Sequence, residues 1–575
     1  MATHVAAGAG SDRRLGWVVS GLAAVPALVL LARVLNSGWL SSSDWADIEL
    51  RTRDVGTLHT PLVGAYSRYG WNHPGPLLFY VLALPYRIFG ARGYGILAGA
   101  LVVNAAAVVC IGVVLWRRGR IAGLTLGLAV VLLLVRALGA GFVVDPWNPY
   151  VIVLPLFAVV CLAWSAADGD LWALPIAVGV GSFVVQSHVG AALAVIAPIG
   201  VSVVAVAIEA RRSGFARLKP VVLASTAVAV VCWLPPVVQQ FQPGGGNLGE
   251  LIRFWTRSHA GTTGWSAGAR IVGRQLAIPA PWFSGHERVN SVTGGVNPQW
   301  TVPVALILLL GAATVAVSKR DRQSLALDAV AIAFVLAAVF SAAHIVDTPF
   351  NYIVRWMWAV GAIAWLAILW TMWRALPRTP GSEVAVARIG AAVTAGLVAV
   401  LVISAVRADF PLQSDQRSLV RIAPEVRRAL GNLRGPVLVE GPSDFRSGLA
   451  ADGVLLIAIH AGIDARLDRR SANHVGKSHT ISEASAASVV IVAVDDGIDN
   501  YRSKPSYRDI AGYDPLSPQE RAYHAAVDAE AQRAYAEGIA DFKRWSATHQ
   551  RDQLRIHDLD ARGPRIELFL RTRSH

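Results

Sequence analysis

Three carboxylates fall in the short run Ser43-Asp44-Trp45-Ala46-Asp47-Ile48-Glu49, and the basic residues Arg51, Arg53 and Arg68 follow it. An aromatic-polar knot comes next, Trp71-Asn72-His73, then Pro74-Gly75-Pro76 at the head of an apolar segment. A positioned carboxylate takes the proton from an attacking hydroxyl, while cations stabilise charge that develops on a departing phosphate. The run lies just beyond an apolar helix, where a chain leaves the bilayer, so it suits chemistry on a phosphate-bearing lipid. Asp44, nearest the membrane end of the loop, is the candidate base. Asp47 and Glu49 are supporting acids, and Arg51 and Arg53 are donor- or acceptor-binding cations. Other readings stand beside this one. Ser43 or Asp44 suits the cap of a helix over Trp45–Arg53. Asp47, Arg51 and Asp54 at i, i+4 and i+7, and Glu49 with Arg53, suit surface ion pairs. The three acids are also hard oxygen ligands for Mg²⁺ or Ca²⁺, with Asp44 and Glu49 as the candidate metal pair.

Further polar residues stand where apolar segments end. His73 precedes a proline at a loop–helix junction, suited to orienting a ligand or to a plain hydrogen-bonded corner. Gln186 and His188 lie between two apolar segments, and Asp145 opens the turn Asp145-Pro146-Trp147-Asn148. Tyr352 and Arg355 open a late apolar segment. An arginine inside a span is expensive unless it snorkels or pairs, and a lipid phosphate is the obvious partner. Arg136 is a weaker case of the same kind. The stretch Gln239–Trp300 carries Gly244-Gly245-Gly246, Trp255, His259, Trp265, Trp282 and His286. It suits either a sugar-stacking lid or a belt of interfacial tryptophans.

The elements that must position these groups are membrane helices. The chain is 54% hydrophobic and 16% charged, which is a polytopic composition. About eleven segments have the length and hydropathy to span. They are Trp17–Leu35, Tyr94–Trp116, Ile121–Leu138, Tyr150–Trp164, Leu171–Val185, Val189–Ile208, Val221–Val238, Val302–Val317, Leu325–Ala343, Ile353–Trp373 and Ile389–Val406. The first reads as a signal anchor. If Pro76–Phe89 lies in the interface without crossing, Arg117-Arg118-Gly119-Arg120, Arg211-Arg212, Lys319-Arg320 and Arg374 with Arg378 share the side of Arg13-Arg14. The positive-inside tendency makes that side cytosolic. The +14 net charge follows this asymmetry, so it indicates membrane orientation and not a nucleic-acid partner. Cys110, Cys161 and Cys232 all lie in spans, so no disulfide framework is expected.

From Arg407 the character changes. Short β-like runs at Pro436–Glu440, Ser488–Val494 and Ile566–Leu570 alternate with helical patterns, one opened by the capping-box signature Ser517-Pro518-Gln519-Glu520. The expected organisation is a transmembrane domain over 1–406 and an extracytoplasmic α/β domain over 407–575. The first outer loop covers 37–93 with a juxtamembrane helix at 76–89, and the long outer loop covers 239–300. Acceptor binding or packing against the membrane domain is the role expected of the C-terminal domain.

An anchor, an acidic outer loop and a His-Pro-x-Pro-Leu-type helix in that order resemble the GT-C superfamily, polytopic glycosyltransferases that use polyprenyl-phosphate sugars. The closest likeness is to protein O-mannosyltransferases and lipid A aminoarabinose transferases. The residues that carry it are Asp44 with Asp47 and Glu49, and His73-Pro74-Gly75-Pro76-Leu77. Asp145-Pro146 is similar to the Asp-containing loop after the third span of those families. Tyr352 and Arg355 are similar to their late-span Arg-Tyr pair, which contacts donor phosphate. The order of that pair is reversed here, and Pro-Gly-Pro stands where relatives have Pro-Pro. The resemblance implies a GT-C-like membrane domain and an inverting glycosyltransferase on the outer face of the bacterial cytoplasmic membrane. Its partners would be membrane lipids, a polyprenyl-phosphate sugar donor and a cell-envelope glycan, lipid or protein acceptor. The Ala/Val/Arg-rich composition suggests a high-GC bacterium, with decaprenyl-phosphate arabinose or mannose as donors and cell-wall biogenesis as the setting. A lipid or polysaccharide transporter is the competing reading. It predicts inverted repeats with broken helices, and the sequence has no internal repeat. A non-catalytic envelope-assembly subunit is the third.

Overall fold

The computed structural model describes residues 2–571 except 215, 258–260, 286–293, 297–298, 378–379, 412 and 443–444. His259, His286 and Arg378 therefore lie outside the described residues. The chain forms two compact units. One comprises Met1–Asn36, Pro61–Arg87 and Ile96–Ala408; the other comprises Ser37–Thr60, Ile88–Gly95 and Asp409–His575.

The first unit is a helical bundle, and the protein is an integral membrane protein. Among the described residues, eight helices are long and apolar enough to cross a bilayer, and Ala173–Ser187 and Val304–Ser318 are shorter apolar helices. The longest, Gly93–Leu138, is two helices joined at Arg120, whose φ of 50° breaks the run. Together these helices occupy every segment expected to span. Val153–Ala167 is the central one, buried along its whole length. Ala173–Ser187, Ala192–Ser213, Arg322–Ala343 and Trp358–Ala375 pack around it. Leu218–Phe241 is largely uncovered, and its exposed Val222, Leu223, Val230 and Val231 form the kind of surface that hydrocarbon covers at no cost.

Ion pairs gather the basic loops at one end of this bundle. Arg118 binds Asp168, and Gln323 also donates to Asp168 at 3.1 Å. Arg322 meets Glu209 at 2.8 Å, and Arg374 meets Asp321 at 2.6 Å. The start of the first span is at this end too, because a Cβ on Gly16 would lie 2.7 Å from Trp116. That grouping holds only if Leu77–Ile88 does not reverse the direction of the chain. The stretch Gln239–Trp300, considered above as a lid, folds in its described parts into the helices Asn247–Arg257, Trp265–Gln275 and Pro281–Ser284. Trp282 is buried, whereas Trp255, Trp265 and Trp300 are exposed.

The second unit is an α/β fold with a six-stranded sheet in the order β3-β2-β1-β4-β6-β5. The strands are β1 (Val437–Glu440), β2 (Ala465–Asp468), β3 (Thr480–Ile481), β4 (Ser488–Val494), β5 (Tyr507–Tyr513) and β6 (Ile566–Arg571). The first four are parallel, and β6 runs antiparallel to both β4 and β5. The capping box of Ser517 and Glu520 opens the helix Pro518–Glu537. The helix Ser43–Asp54 belongs to this unit: it packs on Phe445–His460, and its Ala46 and Leu50 join the apolar core with Leu419, Val454 and Val439.

Close backbone approach fixes the bundle at Gly361, where a Cβ would fall 2.2 Å from the Gln275 carbonyl oxygen and 2.3 Å from the Trp282 ring. Gly361→Ala should therefore destabilise the detergent-solubilised protein by about 1–3 kcal/mol, the usual cost of overpacking. Gly311, which has open space around it, should accept alanine without loss. Thermal melts of the two variants check this, and equal melting temperatures would contradict the packing described.

Candidate functional site

In the first unit, the loop before the juxtamembrane helix folds back on itself. The Ser67 amide donates to the Trp71 carbonyl at 2.8 Å, and Gly64 and His73 are joined by a 2.9 Å bond. Trp71 and His73, two residues apart on extended chain, face the same way. The Trp71 and His73 rings meet edge-on at 5.5 Å, and the His73 and His188 rings lie 5.4 Å apart. The Val189 amide donates to His73 Nδ1 at 3.3 Å, so neutral His73 carries its proton on Nε2.

Burial sets the charge of both histidines. Desolvation holds His73 well below the ordinary histidine value, with His188 adding to the effect. It also lowers His188 to about 4, against partial opposition from the Ile353 backbone. Trp71 Nε1 has no hydrogen bond, and His188 has only a poorly aligned one to the Ile353 backbone. Each buried group left in that state costs about 1–3 kcal/mol.

Gln186 explains the Pro-Gly-Pro sequence. Its amide donates to the Cys232 carbonyl at 2.7 Å, and its side chain sits where a Cβ on Gly75 would lie, 2.1 Å from Oε1. A side chain at 75 would require both Gln186 and Pro236 to shift.

The turn at Asp145 meets the same corner. Asp145 Oδ1 accepts the Trp147 amide at 2.9 Å, which fixes the turn, and Asn148 donates to the Ser187 carbonyl at 3.0 Å. Asn148–Val151 packs on Asn351–Val354 and Arg355–Met357. Trp147 is tilted against Tyr352 at 4.9 Å and meets Tyr150 edge-on at 5.0 Å. The Arg355 guanidinium lies 4.4 Å over the Trp358 ring and is only 5% exposed. His73, Asp145, Gln186, His188, Tyr352 and Arg355 thus come together at one end of the bundle, joined by Trp147 and Tyr150. Arg136 is turned elsewhere and donates to the Phe283 carbonyl at 3.1 Å.

In the second unit, the acids of Ser43–Asp54 meet histidines of the C-terminal region. Glu49 is fully buried between the Ser41 hydroxyl and His460 Nε2, the latter 2.9 Å away. Asp47 lies 3.5 Å from His474, and Asp54 accepts from His479 at 3.0 Å. Asp44 is exposed, in the first turn. Neither Ser43 nor Asp44 caps the helix: the cap position is Ser42, whose hydroxyl makes no capping bond. Ser43 has a φ of 54°, a strained conformation for a serine. Arg51 packs by Gly476 and acts electrostatically on Asp47, while Arg53 is exposed. Burial raises the Asp47 pKa, with His474 and Arg51 opposing. Asp452 is raised well above the usual carboxylate range by burial, then by the charges of Asp47 and Asp44.

A divalent cation does not fit the Asp44–Glu49 pair, because each Glu49 oxygen already has a side-chain partner. Among the described residues no group of three His, Cys, Asp or Glu is arranged to hold a metal. No sequence signal joined His460, His474, His479 and Asp452 to acids some 400 positions earlier, since only the fold brings them together.

No protein-family model matches the chain, and no curated protein matches it. Among solved structures it is similar to ArnT from Cupriavidus metallidurans bound to undecaprenyl phosphate. The TM-score is 0.49 at 16% identity, over 86% of this chain and 96% of that one. The same protein in its apo state gives 0.48 at 14% identity, with the same coverage.

The Asp452 environment makes a pH prediction. An acid whose folded pKa is raised favours folding fully only below its ordinary value, here 3.8, and loses stability as pH climbs through the raised value. Asp452→Asn should therefore increase hydrogen-exchange protection of Phe445–His460 at about pH 8 and leave it unchanged near pH 4. Lower protection at the alkaline pH would show that the carboxylate is stabilised as an anion.

Proposed function

We propose that this protein is a GT-C-type glycosyltransferase that moves a sugar from a polyprenyl-phosphate carrier to a hydroxyl of a cell-envelope glycan, lipid or protein. The observation that carries the reading is Arg355: a guanidinium 5% exposed, stacked on Trp358 at the end of an apolar span. A guanidinium in that position suits the phosphate of a membrane-bound donor, which it grips through two parallel hydrogen bonds. Asp145, Tyr352, Trp147 and Tyr150 frame it.

The reaction we assign is a single displacement with inversion. The acceptor oxygen attacks the anomeric carbon, and the bond from that carbon to the phosphate oxygen breaks. Its electron pair leaves on the polyprenyl phosphate, where Arg355 stabilises the developing charge. The base we propose for the acceptor proton is Asp44, on the sequence reading of the first loop. Its exposure supports that role, and the engagement of Glu49 with Ser41 and His460 makes Glu49 a brace for the helix that carries Asp44. Basic loops gathered at the opposite end of the bundle support a cytosolic N-terminus, which leaves the Arg355 corner on the outer face of a bacterial cytoplasmic membrane. Decaprenyl-phosphate arabinose and mannose are the donors to try first.

Asp44→Asn keeps the shape and removes the base, so turnover of radiolabelled polyprenyl-phosphate sugar by the purified protein should fall by about 10²–10⁴ with donor binding retained. Arg355→Lys should weaken donor-lipid binding about tenfold, and Arg355→Ala up to about a hundredfold. Wild-type turnover by Asp44→Asn moves the base elsewhere, and wild-type lipid binding by Arg355→Ala makes the arginine an interface anchor.

A further inference from the structure

We infer that the row Trp71–His73–His188 is the sugar-ring subsite, a hydrogen-bonding surface for the hydroxyls of the transferred glycosyl group. The inference rests on the glycosyltransferase reading above and adds to it the place of the sugar.

The first observation is unfinished bonding. Trp71 Nε1 is buried without a partner, and the His188 ring has only a poorly formed contact with the Ile353 backbone, on side chains that are each 6% exposed. The three rings follow one another at centroid distances of 5.5 and 5.4 Å and form one contiguous row. His73 adds an Nε2–H donor, because its Nδ1 is occupied by the Val189 amide.

The second observation is a space that only glycine leaves. A Cβ on Gly190 would lie 3.1 Å from His188 Nε2, close enough to crowd whatever that nitrogen binds.

The third is charge. Desolvation keeps both imidazoles uncharged at neutral pH, so they offer an anion no Coulombic attraction. A neutral imidazole presents one donor and one acceptor, and a sugar hydroxyl both gives and takes a hydrogen bond. The indole N–H completes the set, and the rings of Tyr69 and Phe254 back the Trp71 ring at 5.8 and 5.6 Å. Ser187, next to His188, accepts from Asn148 of the Asp145 turn, and Ile353 acts on the His188 ring. The row therefore adjoins Tyr352 and Arg355, as the two ends of one sugar phosphate require.

The test compares two synthetic lipids on the purified full-length protein: bare decaprenyl phosphate, and the same lipid carrying a mannosyl or arabinosyl group. Wild type should bind one glycosylated lipid at least tenfold more tightly than the bare one. Trp71→Phe keeps the ring and deletes the donor, and Gly190→Ala adds one methyl beside His188 Nε2. Each should reduce that preference severalfold and leave bare-lipid affinity unchanged, whereas Arg355→Ala should weaken both lipids. Equal affinity of wild type for the bare and glycosylated lipids overturns the subsite, as does equal weakening of both lipids by Trp71→Phe and Gly190→Ala, or no weakening. Failure of wild type to bind any of them overturns the glycosyltransferase reading itself.

Discussion

A polar group taken into a bilayer has no water to fall back on, so it must find its partner inside the protein. That constraint organises the bundle. At one end it is met by complete ion pairs, Arg118 with Asp168 and Arg374 with Asp321, which join loops far apart in sequence. At the other end it is met only in part. His188, Trp71 and the Gln186 carbonyl oxygen keep buried atoms without well-formed bonds, beside an arginine stacked on tryptophan.

The carboxylates of the first loop obey the same rule in a different setting. Glu49, Asp47 and Asp54 each face a histidine, and the helix that carries them also buries Ala46 and Leu50 in the core of the α/β unit. One face of Ser43–Asp54 is thus anchored through several contacts of both kinds, while Asp44 is left exposed at its first turn. A side chain on a helix held this firmly keeps its position at little entropic cost.

Much of this was legible in the sequence. Apolar runs of spanning length fix the membrane helices, and the basic loops fix which of them share an end. The capping box at Ser517 and the strands at 437, 488 and 566 follow from local pattern alone. β2 and β3 did not, because they are too short for a period to register, and the largely exposed β5 carries too little apolar alternation. The meeting of Asp145, His188 and Arg355 was suggested only by their common position at span ends; the backbone and ring contacts that join them are tertiary. Gly75 looked like a departure from a Pro-Pro motif, and its cause, the Gln186 side chain, lies more than a hundred residues away. The pairing of first-loop acids with His460, His474 and His479 had no sequence signal, because neither partner is unusual in its own segment.

The most direct test of the central claim is a cryo-EM structure of the protein in nanodiscs with a polyprenyl-phosphate sugar. The lipid phosphate should lie against the Arg355 guanidinium, at the N-terminal end of the Trp358–Ala375 helix. A phosphate seated instead at the opposite end, among Arg117, Arg118 and Arg374, would contradict the account.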